Sequence, residues 1–169
     1  MNSAQQIIKF FGMKPLPNEG GYYVETYRAS EKIPQAYLPA GYTGQRSLAT
    51  AILYLLTPDT FSALHRLTSD EIFHFYLGDL VTMLQLHPDG SSKVITLGSD
   101  ITQGQQVQAV VPKGTWQGSF LNKGGTFALM GCTVAPGFQS DDFELGRREK
   151  LLEQYPDQRN LILKLTREQ

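Results

Sequence analysis

The chain has 169 residues, of which 41% are hydrophobic, and its 15 basic and 16 acidic residues leave a formal charge of −1. This length fits one domain with a substantial core, which we expect to span residues 1–169. The balanced charge argues against nucleic acid or an anionic membrane as a partner.

The composition also predicts a soluble cytoplasmic protein. No apolar run approaches the roughly 20 residues that a membrane helix needs. The first six residues lack the basic and apolar regions of a secretory signal. Cys132 is the only cysteine, so an intrachain disulfide is impossible and a reducing compartment fits best. Its apolar neighbours predict a buried structural thiol rather than a nucleophile.

In chain order, the pattern predicts a short helix followed by many strands. Ser3 is suited to cap a helix that ends at Phe11, and Gly12 supplies the left-handed residue after it. From Tyr22 onwards, short β-like segments separated by turn residues are typical of a sandwich or barrel. The predicted strands are 22–28, 48–56, 72–76, 80–86, 93–96, 107–111, 115–121 and 126–134.

Loops and terminal helices complete the predicted elements. Residues 29–45 form one long irregular segment, which we expect to be an active-site flap or a loop at a subunit contact. The turn His87-Pro88-Asp89-Gly90 predicts a hairpin, in which His87 is only a turn residue. After residue 137 the pattern becomes helical, with Asp141 or Asp142 as the cap, and a second helix is predicted over 157–165.

Residues 62–78 concentrate ionisable groups within a strand–turn–strand pattern. His65, Glu71, His74 and Tyr76 lie within twelve positions, and they include two of the three histidines. Strands prefer β-branched and aromatic side chains, and buried charge is costly without partners. This stretch therefore predicts chemistry or ligand binding.

Four segments resemble motifs of the cupin superfamily, and more specifically of a largely uncharacterised cupin family, over about residues 5 to 146. His65, Glu71 and Gly78 have the spacing of the first cupin motif, and Pro112-Lys113-Gly114 resembles the core of the second. The resemblance implies an all-β cupin jelly-roll barrel with short terminal helices, commonly a homodimer, with a small-molecule pocket between the motif strands. The four segments are 19–26, 69–78, 111–117 and 134–138.

The same resemblance bears on metal binding. Metal-binding cupins usually present two His and a Glu from the first motif and a third His from the second. Leu67 and Gln117 occupy two of those His positions here. We therefore expect no metal cofactor, and a metal-dependent oxygenase or hydrolase using His65, Glu71 and His74 is the alternative.

The segment Gly-Tyr-Tyr-x-Glu and the lone first-motif histidine are similar to metal-independent dTDP-sugar 3,5-epimerases. That resemblance implies His65 as a base and Tyr76 or Tyr23 as an acid, with Glu71 and Gln117 orienting the substrate. The expected function is an isomerase or epimerase acting on a carbohydrate-like or nucleotide-sugar ligand. The alternative hypothesis is a non-catalytic module that binds or senses a small molecule.

Further polar and aromatic residues are candidates for ligand contacts. Strand alternation places Glu71 and Phe73 on one face and His74 and Tyr76 on the other, so the register decides which pair meets the ligand. A structural ion pair of Glu71 with Arg46 or Arg66 is an alternative, and Trp116 is expected either in the pocket wall or between the sheets. The candidate ligand-binding residues are Tyr23, Glu25, Arg28, Arg46, Ser62, Phe73, His74, Gln108, Trp116 and Gln117.

Overall fold

Strands dominate the computed structural model, which describes residues 3–168. In chain order the strands are β1 (Lys14–Pro15), β2 (Tyr22–Arg28), β3 (Lys32–Ile33), β4 (Arg46–Ser47), β5 (Thr50–Leu56), β6 (Phe61–Leu67), β7 (Asp70–Gly78), β8 (Val81–Leu86), β9 (Ser92–Leu97), β10 (Gln108–Val111), β11 (Trp116–Leu121), β12 (Ala128–Ala135) and β13 (Phe143–Leu145). The α-helices are α1 (Ala4–Phe11), α2 (Arg148–Gln154) and α3 (Arg159–Leu165). None of the helices within residues 3–168 is both long and apolar enough to cross a membrane.

The strands form two antiparallel sheets that pack face to face. One sheet has the order β1-β2-β5-β12-β7-β10, and the other has the order β13-β6-β11-β8-β9. The short strands β3 and β4 pair with each other. This arrangement confirms the predicted all-β jelly roll with short terminal helices.

Three apolar clusters explain why these segments adopt their positions. The inner faces of both sheets meet in a cluster that includes Phe73, Met83 and Met130. The outer face of the five-stranded sheet packs against α2 and α3, with Trp116 in the contact. Part of the other outer face is covered by α1 through Ile7. Burial on both faces explains the nearly continuous apolar runs in the central strands.

Local signals predicted several element ends correctly. The Ser3 hydroxyl accepts a hydrogen bond from the Gln6 backbone N–H, and Gly12 adopts a left-handed φ of 62° after α1. The turn at His87 joins β8 to β9. These features are local in sequence, so the pattern alone defines them.

The segment after residue 137 corrects the sequence prediction of a helix starting at Asp141 or Asp142. Residues Ser140–Asp142 form one 3-10 turn, after which β13 pairs with β6. The α-helix begins only at Arg148. Pairing with the edge of β6 gives the backbone groups of this segment hydrogen-bond partners within the sheet.

The segment 29–45 is tied to the barrel. The buried Tyr42 hydroxyl lies 2.9 Å from Ser69 Oγ, and Arg46, immediately after the segment, pairs with Asp142. None of its residues lines the cavity between the sheets.

Candidate functional site

A cavity of about 240 Å³ opens between the two sheets. Its wall takes side chains from β2, β5, β7 and β12 of one sheet and from β6 and β13 of the other. Charged or ionisable groups project into a largely aromatic and aliphatic surface. The carboxylates, the arginine and the histidine of this wall are Glu19, Glu25, Glu71, Arg28 and His65.

A β-bulge in β6 turns His65 toward the cavity. Strand β11 pairs its Gln117 with His65 and its Ser119 with Ser62, so Ala63 and Leu64 together oppose a single residue. Regular alternation would send Ser62 and His65 to opposite faces. With the bulge, both side chains approach the same carboxylate, Glu19.

Gly118 is the single residue opposite the bulge. A Cβ atom there would lie 2.9 Å from the Ser62 carbonyl oxygen and 3.1 Å from the Leu64 nitrogen. The absence of a side chain at this position therefore allows the bulged strand to approach β11.

The buried His65 ring is held in one tautomer. Nδ1 lies 2.7 Å from the Ala63 carbonyl oxygen, which can only accept, so Nδ1 carries the proton. Nε2 receives a hydrogen bond from the Gln117 amide at 2.9 Å. Burial lowers the pKa of His65, but the negative charges of Glu19 and Glu71 outweigh it and leave that pKa raised. The ring also stacks on Phe143.

Glu71 lies on the same wall and is only 4% exposed. Its Oε2 accepts from the Gln117 amide at 3.3 Å, and its Oε1 lies 3.6 Å from the Cys132 thiol. Burial raises the pKa of Glu71 to about 7, against the opposing effect of His65. The same burial raises the pKa of the Cys132 thiol, so this cysteine stays protonated, consistent with its prediction as an inert buried group.

The Gln117 side chain connects His65 and Glu71. One amide group donates to both His65 and Glu71, and its Oε1 has no hydrogen-bond partner among the described residues. A buried amide oxygen left without a donor is costly. Gln117 is fully buried and does not itself line the cavity, so it acts on the site through its contacts with His65 and Glu71.

Glu19 completes the site, although the sequence analysis gave it no role. Its Oε1 accepts from the Ser62 hydroxyl at 2.8 Å, and its Oε2 lies 3.7 Å from His65 Nε2. The following Gly20 and Gly21 have positive φ values of 107° and 71°, and neither has room for a side chain against Phe61 and Tyr54. The one available signal was the position of Glu19 at the start of the first resembling segment.

An ion pair forms the rim of the cavity. Arg28 donates to both carboxylate oxygens of Glu25, at 2.6 and 2.9 Å, and to the Phe138 carbonyl oxygen at 3.1 Å. Tyr23 lines the same wall. The structure thus brings together these predicted residues: Tyr23, Glu25, Arg28, Ser62, His65, Glu71, Phe73 and Gln117.

The structure does not bring Tyr76, His74 or Gln108 to the cavity. Glu71 points inward along β7, so strand alternation directs His74 and Tyr76 outward, where Tyr76 is 52% exposed. Their rings stack on the outer face of the sheet, and His74 contacts the Gln108 amide at 3.2 Å. The predicted pairing of Tyr76 with His65 in one pocket is therefore wrong.

Two further candidates have structural contacts away from the cavity. Arg46 is fully buried and makes two hydrogen bonds to Asp142, at 2.7 and 2.8 Å. Trp116 packs beneath the C-terminal helices, on the outer side of its sheet, with the Arg66 guanidinium 4.4 Å from its ring. Arg66 pairs with Glu144, so neither arginine is the partner of Glu71.

The comparisons with known proteins agree with this architecture. The family described as Cupin superfamily (DUF985) matches residues 5–146. The chain belongs to this cupin family. The uncharacterized protein YML079W of Saccharomyces cerevisiae is 32% identical over 149 residues, or 83% of this chain and 74% of the yeast protein.

Two solved structures extend the likeness over nearly the whole cupin chain. Protein SO0799 from Shewanella oneidensis is 38% identical with a TM-score of 0.86, and the match covers all of both chains. A hypothetical protein from Leishmania major is 31% identical with a TM-score of 0.89, covering 99% of this chain and 100% of that one. These names state no activity, so the relatives supply the fold and leave the reaction open.

The donor set of this cupin does not fit the usual cupin metal shell. Within residues 3–168, no three His, Cys, Asp or Glu side chains are arranged to hold a metal ion. His74, the third member of the alternative set, lies on the outer face of the sheet, and His65 already uses Nδ1 on a backbone carbonyl. Gln117 presents an N–H donor where a metal would require a lone pair.

Proposed function

We propose that this cupin binds a small molecule in the cavity and transfers a proton to or from it, as a metal-independent isomerase or epimerase. The main support is a series of buried, hydrogen-bonded side chains at the cavity wall, in which Gln117 links His65 to Glu71. General acid–base catalysis needs groups whose pKa lies near the working pH. The raised pKa of His65 meets that need for the base.

The roles follow from the positions of the side chains. Nε2 of His65 is the unprotonated nitrogen, so it is the base, and Glu19 at 3.7 Å stabilises the imidazolium that forms. Tyr23 is the acid, because it lines the cavity that His65 lines. Glu71 and Gln117 fix the orientation of the ligand.

The size of the cavity sets the scale of the ligand. About 240 Å³ is at or below the small end of ordinary ligand sites. A single sugar-sized group fits this space. The nucleotide of a nucleotide-sugar would lie beyond the rim, next to Arg28 and Glu25.

Exchange of hydrogen with solvent tests the proposal. Small molecules that raise the melting temperature are incubated with the protein in D₂O, and deuterium incorporation at carbon is followed by NMR. We expect incorporation with the native protein and its loss in His65→Ala, while His87→Ala, altered in a hairpin turn, retains it. Deuterium exchange that persists in His65→Ala would show that His65 is not the base.

A second candidate, a non-catalytic binding module, is favoured by one specific contact. Both ring nitrogens of His65 already have hydrogen-bond partners, Ala63 and Gln117. A base must release the second contact before it accepts a proton. Ligand-dependent stabilisation without any deuterium incorporation would support this alternative.

A further inference from the structure

The deep end of the cavity has more hydrogen-bond acceptors than donors. The Ser62 hydroxyl is used on Glu19, both Gln117 contacts go to His65 and Glu71, and the Tyr54 hydroxyl donates to the Gly20 carbonyl. Three acceptor atoms keep lone pairs with little or no donation from the described residues. Glu19 Oε2 is 3.7 Å from His65, and Glu71 Oε1 has only a thiol at 3.6 Å. The third atom, Gln117 Oε1, has no partner but belongs to a fully buried side chain that does not line the cavity.

The cavity wall also carries more negative than positive groups. Of the three carboxylates in its wall, Glu25 is neutralised by Arg28 at the rim. Glu19 and Glu71 have no lysine or arginine within salt-bridge distance among the described residues. Near neutral pH Glu71, with its pKa of about 7, is ionised in only part of the molecules, and a bound cation would favour its ionised form. Buried charges of this kind need a counter-charge.

Aromatic rings surround this acidic end. Tyr23, Phe73, Phe138 and Phe143 line the cavity together with aliphatic side chains. The faces of such rings attract organic cations and also accept an apolar body. The wall thus suits a molecule that combines a charged nitrogen with a hydrocarbon frame.

We propose that this cavity selects a small organic cation, with its protonated nitrogen bound by the carboxylates of Glu19 and Glu71 and its apolar body against the aromatic wall. A ligand of this kind supplies the missing N–H donors and the missing positive charge together.

This assignment deepens the proposed proton transfer and rests on it: the bound cation is a substrate only if that transfer occurs. Removing a proton from a neutral carbonyl compound creates negative charge next to Glu19 and Glu71, which oppose it. Removing a proton from a cation leaves a neutral molecule, and the proton moves to Nε2 of His65. The acidic site therefore favours proton abstraction from a cationic substrate over a neutral one.

Three probes with one aromatic frame test the charge preference on the native protein. Benzylamine is cationic near neutral pH, benzyl alcohol is neutral and benzoate is anionic. We expect calorimetry to give benzylamine a Kd at least about tenfold lower than that of benzyl alcohol. Benzoate is expected to bind weakest. Equal or tighter binding of the alcohol or benzoate, or no binding of benzylamine at millimolar concentration, would overturn the assignment.

Variants locate the charge that is responsible. Glu19→Gln and Glu71→Gln are each expected to weaken benzylamine about tenfold and to change benzyl alcohol by less than about twofold. Glu144→Gln removes a carboxylate that pairs with Arg66 outside the barrel and serves as the matched control. Equal effects of all three variants would contradict a local charge interaction.

The two proposals fail in different experiments. Selective binding of benzylamine with no deuterium incorporation in any ligand supports the cation site and contradicts proton transfer. Deuterium incorporation into a neutral ligand, with no preference for benzylamine, supports proton transfer and overturns the cation site.

Discussion

Gln117 determines the chemistry of the site at the scale of single residues. The histidine of metal-binding cupins would bring a lone pair to this position, whereas the Gln117 amide brings N–H donors to His65 and Glu71. The amide therefore joins His65 to Glu71 instead of completing a metal shell.

Glu71 is expected to make stability depend on pH. Its pKa is about 7 in the folded protein and near 4.5 when unfolded, so between these values the folded state holds a proton that the unfolded state has lost. The free energy of unfolding therefore falls as the pH rises through this window, by roughly 3 kcal/mol in total. The raised pKa of His65 acts in the same direction above its ordinary value.

Urea unfolding at a series of pH values checks this expectation. Glu71→Gln carries no proton to lose and should reduce the slope between about pH 5 and 7. Native and variant proteins with the same slope would show that Glu71 titrates normally in the folded state.

Motif spacing singled out His65, Glu71 and Gln117, because each lies at a fixed position in a motif segment. His65 and Gln117 are paired across β6 and β11, and Glu71 faces them from β7 of the other sheet. Glu19 and Tyr54 could not be found in this way. Glu19 meets Ser62 across 43 positions of the chain, and Tyr54 belongs to an apolar strand that gives no sign of a polar contact. Their contacts involve the segment between β1 and β2, which carries Glu19 and the Gly20 carbonyl that Tyr54 donates to.

At the scale of elements, the bulge in β6 positions the site. The predicted strand ranges omit β6, although the strand–turn–strand pattern of residues 62–78 indicated it, since the bulge interrupts the alternation that defines the bounds of a strand. Strand β13 was predicted as helix for a related reason. It is only three residues long and forms by pairing with β6, which no local pattern records.

Gly118→Ala tests the dependence of the site on the bulge. The added Cβ would lie 2.9 Å from the Ser62 carbonyl, so we expect a loss of about 1–3 kcal/mol of stability and weaker ligand binding through displacement of His65. Denaturant unfolding and calorimetry measure the two effects.

Gly44→Ala is the control for this change, because its Cβ would meet only the Arg46 side chain at 3.7 Å. We expect it to unfold as the native protein does. A Gly118→Ala protein with native stability and native ligand affinity would show that the bulge tolerates a side chain.

At the scale of the whole molecule, one sheet face remains open. Its outer surface near β7 and β10 carries Tyr76 and Val110, each 52% exposed, next to the half-buried Ile72. Exposed apolar groups on an edge strand often mark a contact between subunits. We therefore predict a homodimer that uses this face.

Val110→Asp is expected to convert the dimer to a monomer. The free energy needed to bury a charge in an apolar interface exceeds the binding free energy that the contact provides. Analytical ultracentrifugation measures the association. Val94→Asp is the matched control, since Val94 is 49% exposed on the edge strand β9 of the other sheet. A native protein that sediments as a monomer, or equal effects of both variants, would contradict the prediction.

We infer that a molecule bound in the cavity reaches one basic nitrogen, Nε2 of His65. Nitrogen NMR of the ¹⁵N-labelled protein across a pH titration tests it most directly. We expect the neutral ring to carry its proton on Nδ1, the pKa of His65 to lie above its ordinary value, and ligands that stabilise the protein to shift the Nε2 signal. A neutral ring protonated on Nε2, or an Nε2 signal unmoved by every stabilising ligand, would contradict it.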